Sequence, residues 1–288
     1  MKKLILAFAC AGLITACHSD GDSKPDTKTG TKHEAKQSNS AFTPILAGAW
    51  RSAENKARDQ YRHPQQTLQF FGVKPTQTVI EIWPGGGWYS EVLAPLLKDK
   101  GHYIAVVNDP GKMSSERSRA STAKQNDALK VKFAYNIDTF GSPTIVQIDP
   151  AAPVLGEAGS ADVVLTFRNV HNWVMAGQEA AMFESFFEVL KPGGTLGVVE
   201  HRARSDAEFE KIKTSGYLPE EYVISLALKA GFVLDDRSEI NANPKDTKDY
   251  PAGVWTLPPT LTEKDKDREK YLAIGESDRM TLRFKKPN

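Results

Sequence analysis

The sequence predicts an α/β fold built on a mostly parallel sheet, and three stretches carry that expectation. Val79-Ile80-Glu81-Ile82-Trp83 is an apolar run broken by one acid, Pro84-Gly85-Gly86-Gly87 forms a turn, and Trp88, Val92, Leu93, Leu96 and Leu97 recur at helical spacing. Together they read as strand, tight turn and helix. Gly101 to Pro110 is a second buried-type strand, ending in Asn108-Asp109, and Ala161 to Phe167 is a nearly continuous apolar run. Such runs suit parallel strands covered on both faces.

Gly85 and Gly87 let the backbone turn sharply and let a ligand approach where a Cβ would collide. The helix that follows offers unpaired backbone N–H groups to an anion. Glu81, two residues before the turn, stands where a carboxylate would meet a cationic or hydroxyl-bearing group. The plainer alternative is a tight loop with Glu81 capping the next helix.

The remaining elements follow in order. Phe42 to Val73 reads as two helices ahead of the first strand, carrying the polar set Arg51, Arg58, Asp59, Tyr61 and Arg62, which also suits an exposed helix face with paired charges. Lys112 to Lys130 reads as a long, partly exposed helix with an extended loop, and Pro143 to Ile148 as a short strand before Asp149. The strand ending at Phe167 releases Arg168, Asn169, His171, Asn172 and Trp173 at the sheet's carboxyl edge, where open α/β folds present their chemistry. Asn172 as a helix cap and Trp173 as packing would account for only two of these five.

Val174 to Leu190 reads as one helix with Met182, Phe183, Phe186, Phe187 and Leu190 facing inward. Lys191-Pro192-Gly193-Gly194 then opens a strand from Thr195 that ends in Glu200-His201-Arg202. Tyr222 to Ala230 is a further helix, and Phe232 to Leu234 and Met280 to Phe284 are terminal strands. Between those strands lies a polar insertion, 241–278, containing Trp255, Pro258 and Pro259. A connection this long is expected to serve as a lid.

The run "VIEIWPGGGWYSEVLAPLL" resembles motif I of class I S-adenosylmethionine (SAM)-dependent methyltransferases, in a subgroup with a Trp-Pro-Gly-Gly-Gly core. The usual pattern is acid-x-Gly-x-Gly-x-Gly. Glu81 takes the acid, Gly85 and Gly87 take the second and third glycines, and Trp83 stands in place of the first, which sets an indole beside the expected methionine moiety. The resemblance continues through "SADVVLTFRNVHNW", "LKPGGTLGVVEHRA", "YLPEEYVISLALKAGF" and "SDRMTLRFKKP", so it spans about Ile45 to the end. It implies a Rossmann-like sheet with an antiparallel terminal strand pair and SAM as cofactor. Glu81, Trp83, Gly85, Gly86 and Gly87 would lie along that cofactor, Asp109 on its ribose (with Asn108 as a neighbour able to take the same place), and Gln147 or Asp149 on its adenine.

The chain of 288 residues is 40% hydrophobic and 25% charged, as expected of one sizeable domain with appendages over residues 42–288. A formal net charge of +1 gives no basic field for nucleic acid. Lys2, Lys3 and the apolar run Leu4 to Ile14 read as an export leader over 1–16, too short to span a bilayer. Ile14-Thr15-Ala16-Cys17 resembles a bacterial lipoprotein cleavage box. Lipid on Cys17 would hold the protein on a bacterial membrane facing the periplasm or cell exterior. Residues 17–41 read as a disordered tether, in which His18 and His33 suit solvent-facing positions better than a metal site.

Methyl transfer needs positioning, proton removal and exclusion of water, and no protein nucleophile. His171 is the leading base candidate because histidine ordinarily titrates near neutrality. His201 is second, Glu200 is the orienting acid, and Arg168 and Asn169 hold a small-molecule acceptor. Two other readings are a non-catalytic binding module on the same fold, favoured by Trp83 and by export away from cytoplasmic SAM, and a nicotinamide oxidoreductase, disfavoured by the altered glycine spacing.

Overall fold

The computed structural model describes residues 41–288. The expected leader, Cys17 and all but the last residue of the tether lie outside the described residues. Seven strands form one sheet: β1 (Thr78–Ile82), β2 (His102–Asn108), β3 (Thr144–Ile148), β4 (Ala161–Phe167), β5 (Leu190–His201), β6 (Val233–Ser238) and β7 (Arg279–Lys285). Their order is β3-β2-β1-β4-β5-β7-β6. The pairings among β1 to β5 are parallel, while β7 runs antiparallel to both β5 and β6. This is the expected α/β architecture with its antiparallel terminal pair.

Alternation along the central strands builds a core on each face. Ile80, Ile82, Val164 and Val198 face one cluster with Trp173, Phe183 and Phe186. Val79, Val163 and Leu165 face another with Phe71, Val92 and Leu93. Gly197 on β5 is a packing requirement, because a Cβ there would stand 2.7 Å from both Leu165 and Phe71. The order of the sheet reverses between β1 and β4, so the carboxyl ends of these strands open onto a crevice where α/β folds bind ligands.

Several local expectations are corrected. The single helix over Val174 to Leu190 is two helices, Val170–Ala176 and Glu179–Val189, because Gly177 turns left-handed at φ 66° and ends the first. Asn172 lies inside the first turn of the earlier helix and is not its cap. β5 starts at Leu190, ahead of the glycines. The polar stretch after β2 is a 20-residue helix, Glu116–Tyr135, opened by a capping box between Ser115 and Ser118. Among the described residues, four short helices, at 41–47, Ala53–Ala57, Asp59–Arg62 and Pro64–Phe70, precede β1, where two were expected over Phe42 to Val73.

The stretch 241–278 contains a 3-10 turn, Gly253–Thr256, and a helix, Arg268–Ile274. Val254 and Trp255 pack on Ala203 and Tyr217 beyond the end of β5, which sets this stretch beside the sheet's carboxyl edge.

Candidate active site

At the end of β1 the Trp83 N–H donates to Val106 O of β2 at 2.8 Å, and the chain then leaves the strand at φ 48°. A bulky residue rarely adopts this left-handed conformation. The position adopts a backbone conformation that glycine favours, while its indole packs edge-on to Trp173, 5.4 Å between ring centroids. Its Nε1 is buried without a hydrogen-bond acceptor. Gly85 and Gly87 also have positive φ, 59° and 78°. A Cβ built on Gly85 or Gly86 would meet no atom within 4 Å, so the turn is an open cradle. Lys132, from the helix Glu116–Tyr135, pins it by donating to Gly86 O and to Glu91, both at 2.7 Å.

Glu81 lies beneath the turn. Its Oε2 accepts from Tyr103 Oη at 2.6 Å and Ser90 Oγ at 3.1 Å. Burial pushes its carboxyl up to about 7, against these two hydrogen bonds and the charges of Arg168 and Lys132.

The exit from β4 repeats the exit from β1. The Arg168 N–H donates to Val199 O of β5 at 2.7 Å, and Arg168 then turns left-handed at φ 61°. Asn169 Nδ2 reaches back to Ile82 O at 2.8 Å and ties the ends of β4 and β1 together. His171 follows in the first turn of the helix Val170–Ala176. Its Nδ1 lies 2.9 Å from Glu200 Oε1, its backbone N–H donates to Glu200 Oε2 at 3.2 Å, and the His201 N–H donates to Oε1 at 2.7 Å. A carboxylate that receives three donors fixes the proton of the neutral His171 ring on Nδ1 and leaves Nε2 basic. His201 Nδ1 pairs with Ser277 Oγ at 2.6 Å. Burial, followed by the charges of His171, Arg168, Arg279 and Arg62, holds His201 well below the usual imidazole value.

Three guanidinium groups meet on one carboxylate beside these histidines. Glu276, just ahead of β7, accepts from Arg58 at 2.7 Å, Arg62 at 3.0 Å and Arg279 at 3.1 Å. Burial alone would raise its carboxyl, but Arg62, Arg279, Arg168 and Arg58 outweigh that and hold it at about 2. Arg62 also lies over the Trp88 ring at 4.7 Å. Burial and the nearby Arg168 push its pKa down, with Glu276 opposing. Burial likewise lowers that of Arg168, again with Glu276 opposing and with Arg279 and Arg58 adding to the shift.

The groups line a cavity of about 430 Å³ that includes Glu81, Trp83, Gly85, Gly86, Arg168, Asn169, His171 and His201. Trp255, Pro258 and Pro259 of the inserted stretch form part of its wall. A second cavity, about 220 Å³, shares Trp83, Gly85 and Asn169 with the first and extends to Asn108, Gln125 and Asn126. Asn126 Nδ2 donates to Asn108 O at 2.9 Å, and Asn108 Oδ1 is buried without a donor.

Other sequence-predicted residues sit apart. Gly87 and Glu200 line neither cavity. Asp109 caps the turn Pro110–Lys112 by accepting from Gly111 N at 2.8 Å and lines neither cavity. Gln147 is exposed on β3, and Asp149 accepts from Ala151 N at 3.0 Å and lies 3.8 Å from Lys112. Sequence reasoning did not single out Glu276, Arg279, Tyr103 or Ser277. The quoted run "SDRMTLRFKKP" contains Ser277 and Arg279, the inserted stretch 241–278 contains Glu276, and the strand Gly101 to Pro110 contains Tyr103.

One ligand atom each from His171, Glu200 and His201 falls within 4.8 Å of the others, a spacing open to a metal ion. Glu200 is, however, already saturated with donors, and the surrounding guanidinium charge opposes a second cation.

This strand order, with β7 reversed and the glycine turn after β1, is the class I SAM-dependent methyltransferase fold. A SAM-dependent methyltransferase from Aquifex aeolicus has a similar structure, with TM-score 0.51 and 14% identity over 87% of this chain and 97% of that one. The (4+2)-cyclase SpnF is also similar, with TM-score 0.52 and 14% identity over 88% of this chain and 95% of that one. No protein-family profile and no curated protein sequence matches the chain.

A carboxyl whose folded pKa is raised contributes stability that is fully present below its unfolded pKa and is lost as pH rises through the folded one. For Glu81 that window runs from 4.5 to about 7. E81Q keeps an acceptor for Tyr103 without the charge, so its melting temperature should gain on the wild type across this window and level off above it. A difference independent of pH would show that Glu81 does not titrate there.

Proposed function

We propose that the protein is a SAM-dependent methyltransferase acting on a small-molecule acceptor, in the subgroup whose first motif glycine is tryptophan. The observation that carries this reading is the pair of neighbouring cavities at the carboxyl ends of β1, β2 and β4, which share Trp83, Gly85 and Asn169, include the open Gly85–Gly86 cradle and have Asn108 in the wall of the smaller one. SAM, when bound, supplies an electrophilic methyl group on a sulfonium.

Asn108 accepts from a ribose hydroxyl in the smaller cavity, and the 85–86 turn lies along the amino-acid portion of the ligand. Glu81 supports the turn from below. In the larger cavity His171 Nε2 accepts the proton of the acceptor nucleophile, and Glu200 holds the ring in the required tautomer. Asn169 fixes the geometry between β1 and β4, while Trp255 and Pro258 exclude water. The likeness to SpnF, a (4+2)-cyclase, supports a second reading, in which the same fold serves something other than methyl transfer.

Calorimetry with S-adenosylhomocysteine tests the cofactor site. The wild type should bind it, N108A should bind roughly 10-fold or more weakly, as expected for losing one buried hydrogen bond, and D109A should bind within about twofold of wild type. No binding to the wild type would overturn the proposal, and loss in D109A alone would return the ribose to Asp109.

H171A should bind S-adenosylhomocysteine almost as the wild type does. Its turnover, on an acceptor found by screening small phenols, amines and acids, should fall roughly 10²-fold or more. Unchanged turnover and pH profile would make His171 structural.

We further propose that the protein is exported and anchored by lipid on Cys17, a reading supported by the basic start, the short apolar run and the Ile-Thr-Ala-Cys junction. Mass spectrometry of the native protein should find an acylated amino-terminal Cys17. Intact Met1 on most molecules would contradict it.

A further inference from the structure

We infer that the acceptor is an anion, a small carboxylic acid whose carboxylate docks on Arg168; this rests on the methyltransferase reading of the same cavity and narrows its substrate class. Arg168 lines the larger cavity, and no carboxylate among the described residues forms an ion pair or hydrogen bond with its side chain. A guanidinium confined in a protein without an anion is unfavourable unless a ligand supplies the charge.

Every nearby acid is already engaged. Glu276 accepts from Arg58 Nε, Arg62 Nε and Arg279 Nη1, which nearly fills the acceptor sites of one carboxylate. Glu200 is occupied by His171 and His201. Glu81 is held by Tyr103 and Ser90, on the side of the glycine turn. Three guanidinium groups therefore pair with Glu276 while Arg168 feels its charge without pairing, and the cavity wall is left strongly positive.

The backbone shows that Arg168 is placed there. It is held at φ 61°, a conformation that costs a side-chain-bearing residue of order 1–3 kcal/mol, with its N–H fixed to Val199 O. That conformation aims a side chain from the end of the central strand into the space shared with His171, three residues on. One free, planar fork matches the two oxygens of one carboxylate. The same positive wall makes a metal ion a poor occupant.

A carboxylate at Arg168 could come from the acceptor or from the amino-acid end of the cofactor, and binding measurements separate the two. Benzoate and butyrate, their neutral amides and inorganic phosphate would each be titrated by saturation-transfer NMR into the full folded protein, with and without S-adenosylhomocysteine. R168N suits the left-handed backbone, R168K keeps the charge without the fork, and thermal melts establish that both are folded. The proposal expects the carboxylates to bind at least 10-fold more tightly than their amides and more tightly than phosphate. R168N should lose at least 10-fold of that affinity and R168K should lose part, while S-adenosylhomocysteine affinity stays within about twofold of wild type in both.

Equal binding of acid and amide, retention of carboxylate binding in R168N, or preferred binding of phosphate would overturn it. So would a loss in R168N of affinity for S-adenosylhomocysteine but not for 5′-methylthioadenosine, which lacks the carboxylate, because Arg168 would then serve the cofactor. If the wild type binds carboxylates at Arg168 but not S-adenosylhomocysteine, the methyltransferase reading fails and the anion site stands.

Discussion

Glu276 is the constraint on which the cleft depends. Its carboxylate joins Arg58 and Arg62, from the helices that open the domain, to Arg279 at the start of β7, so the two ends of the domain close on one buried acid. Arg62 in turn lies over Trp88, and its carbonyl accepts from Tyr89 Oη at 3.2 Å. Tyr89 stacks on Phe167 at 3.6 Å, which connects the glycine turn to the end of β4. The N-terminal helices, the turn, the end of β4 and the start of β7 are therefore positioned together. Removing the acid would deprive two buried guanidinium groups, Arg62 and Arg279, and the half-buried Arg58 of their carboxylate, a far larger penalty than losing a surface ion pair.

The two strands beside the crevice end in the same way. Trp83 and Arg168 each make one last inter-strand bond and then turn left-handed, at φ 48° and 61°. Two strained exits on adjacent strands send their loops apart and leave room between them, and strain of this kind concentrates at functional sites. Trp83 occupies a glycine's conformation without a glycine's freedom. Contact with Trp173 on one side and the cavity on the other is what the indole gains in return.

Much of this was legible in the chain. The apolar runs at β1, β2 and β4 and the glycine turn specified the parallel sheet, and the polar residues following β4 and β5 identified the edge where His171, Glu200 and His201 converge. The assignment of Asp109 to the ribose came from the resemblance, which expects an acid at the end of the second strand. The structure separates it from its neighbour, because Asp109 turns to Gly111 N while Asn108 remains on the cavity wall. Adjacent residues at a strand end point to opposite sides, and sequence cannot say which residue is the last of the strand. Glu276 and Tyr103 were invisible for another reason: their partners are Arg58, Arg62 and Glu81, brought together only by tertiary closure. Gly177 could have been read as a helix end, since the apolar spacing across it favoured continuation but glycine supplies the left-handed cap.

The chemistry that emerges is a division of labour along one edge. The β1 and β2 ends present open backbone and neutral polar side chains, suited to an adenosyl ligand, and the β4 and β5 ends present a histidine oriented by a buried acid beneath a cationic wall. A crystal structure of the folded body soaked with S-adenosylhomocysteine tests this division most directly. Adenosine should lie in the cavity beside Asn108 and Asn126, with the amino-acid portion over Gly85 and Gly86 and the sulfur facing the space between Arg168 and His171. A ligand bound elsewhere, or the smaller cavity left empty with adenosine against Arg168, would contradict it.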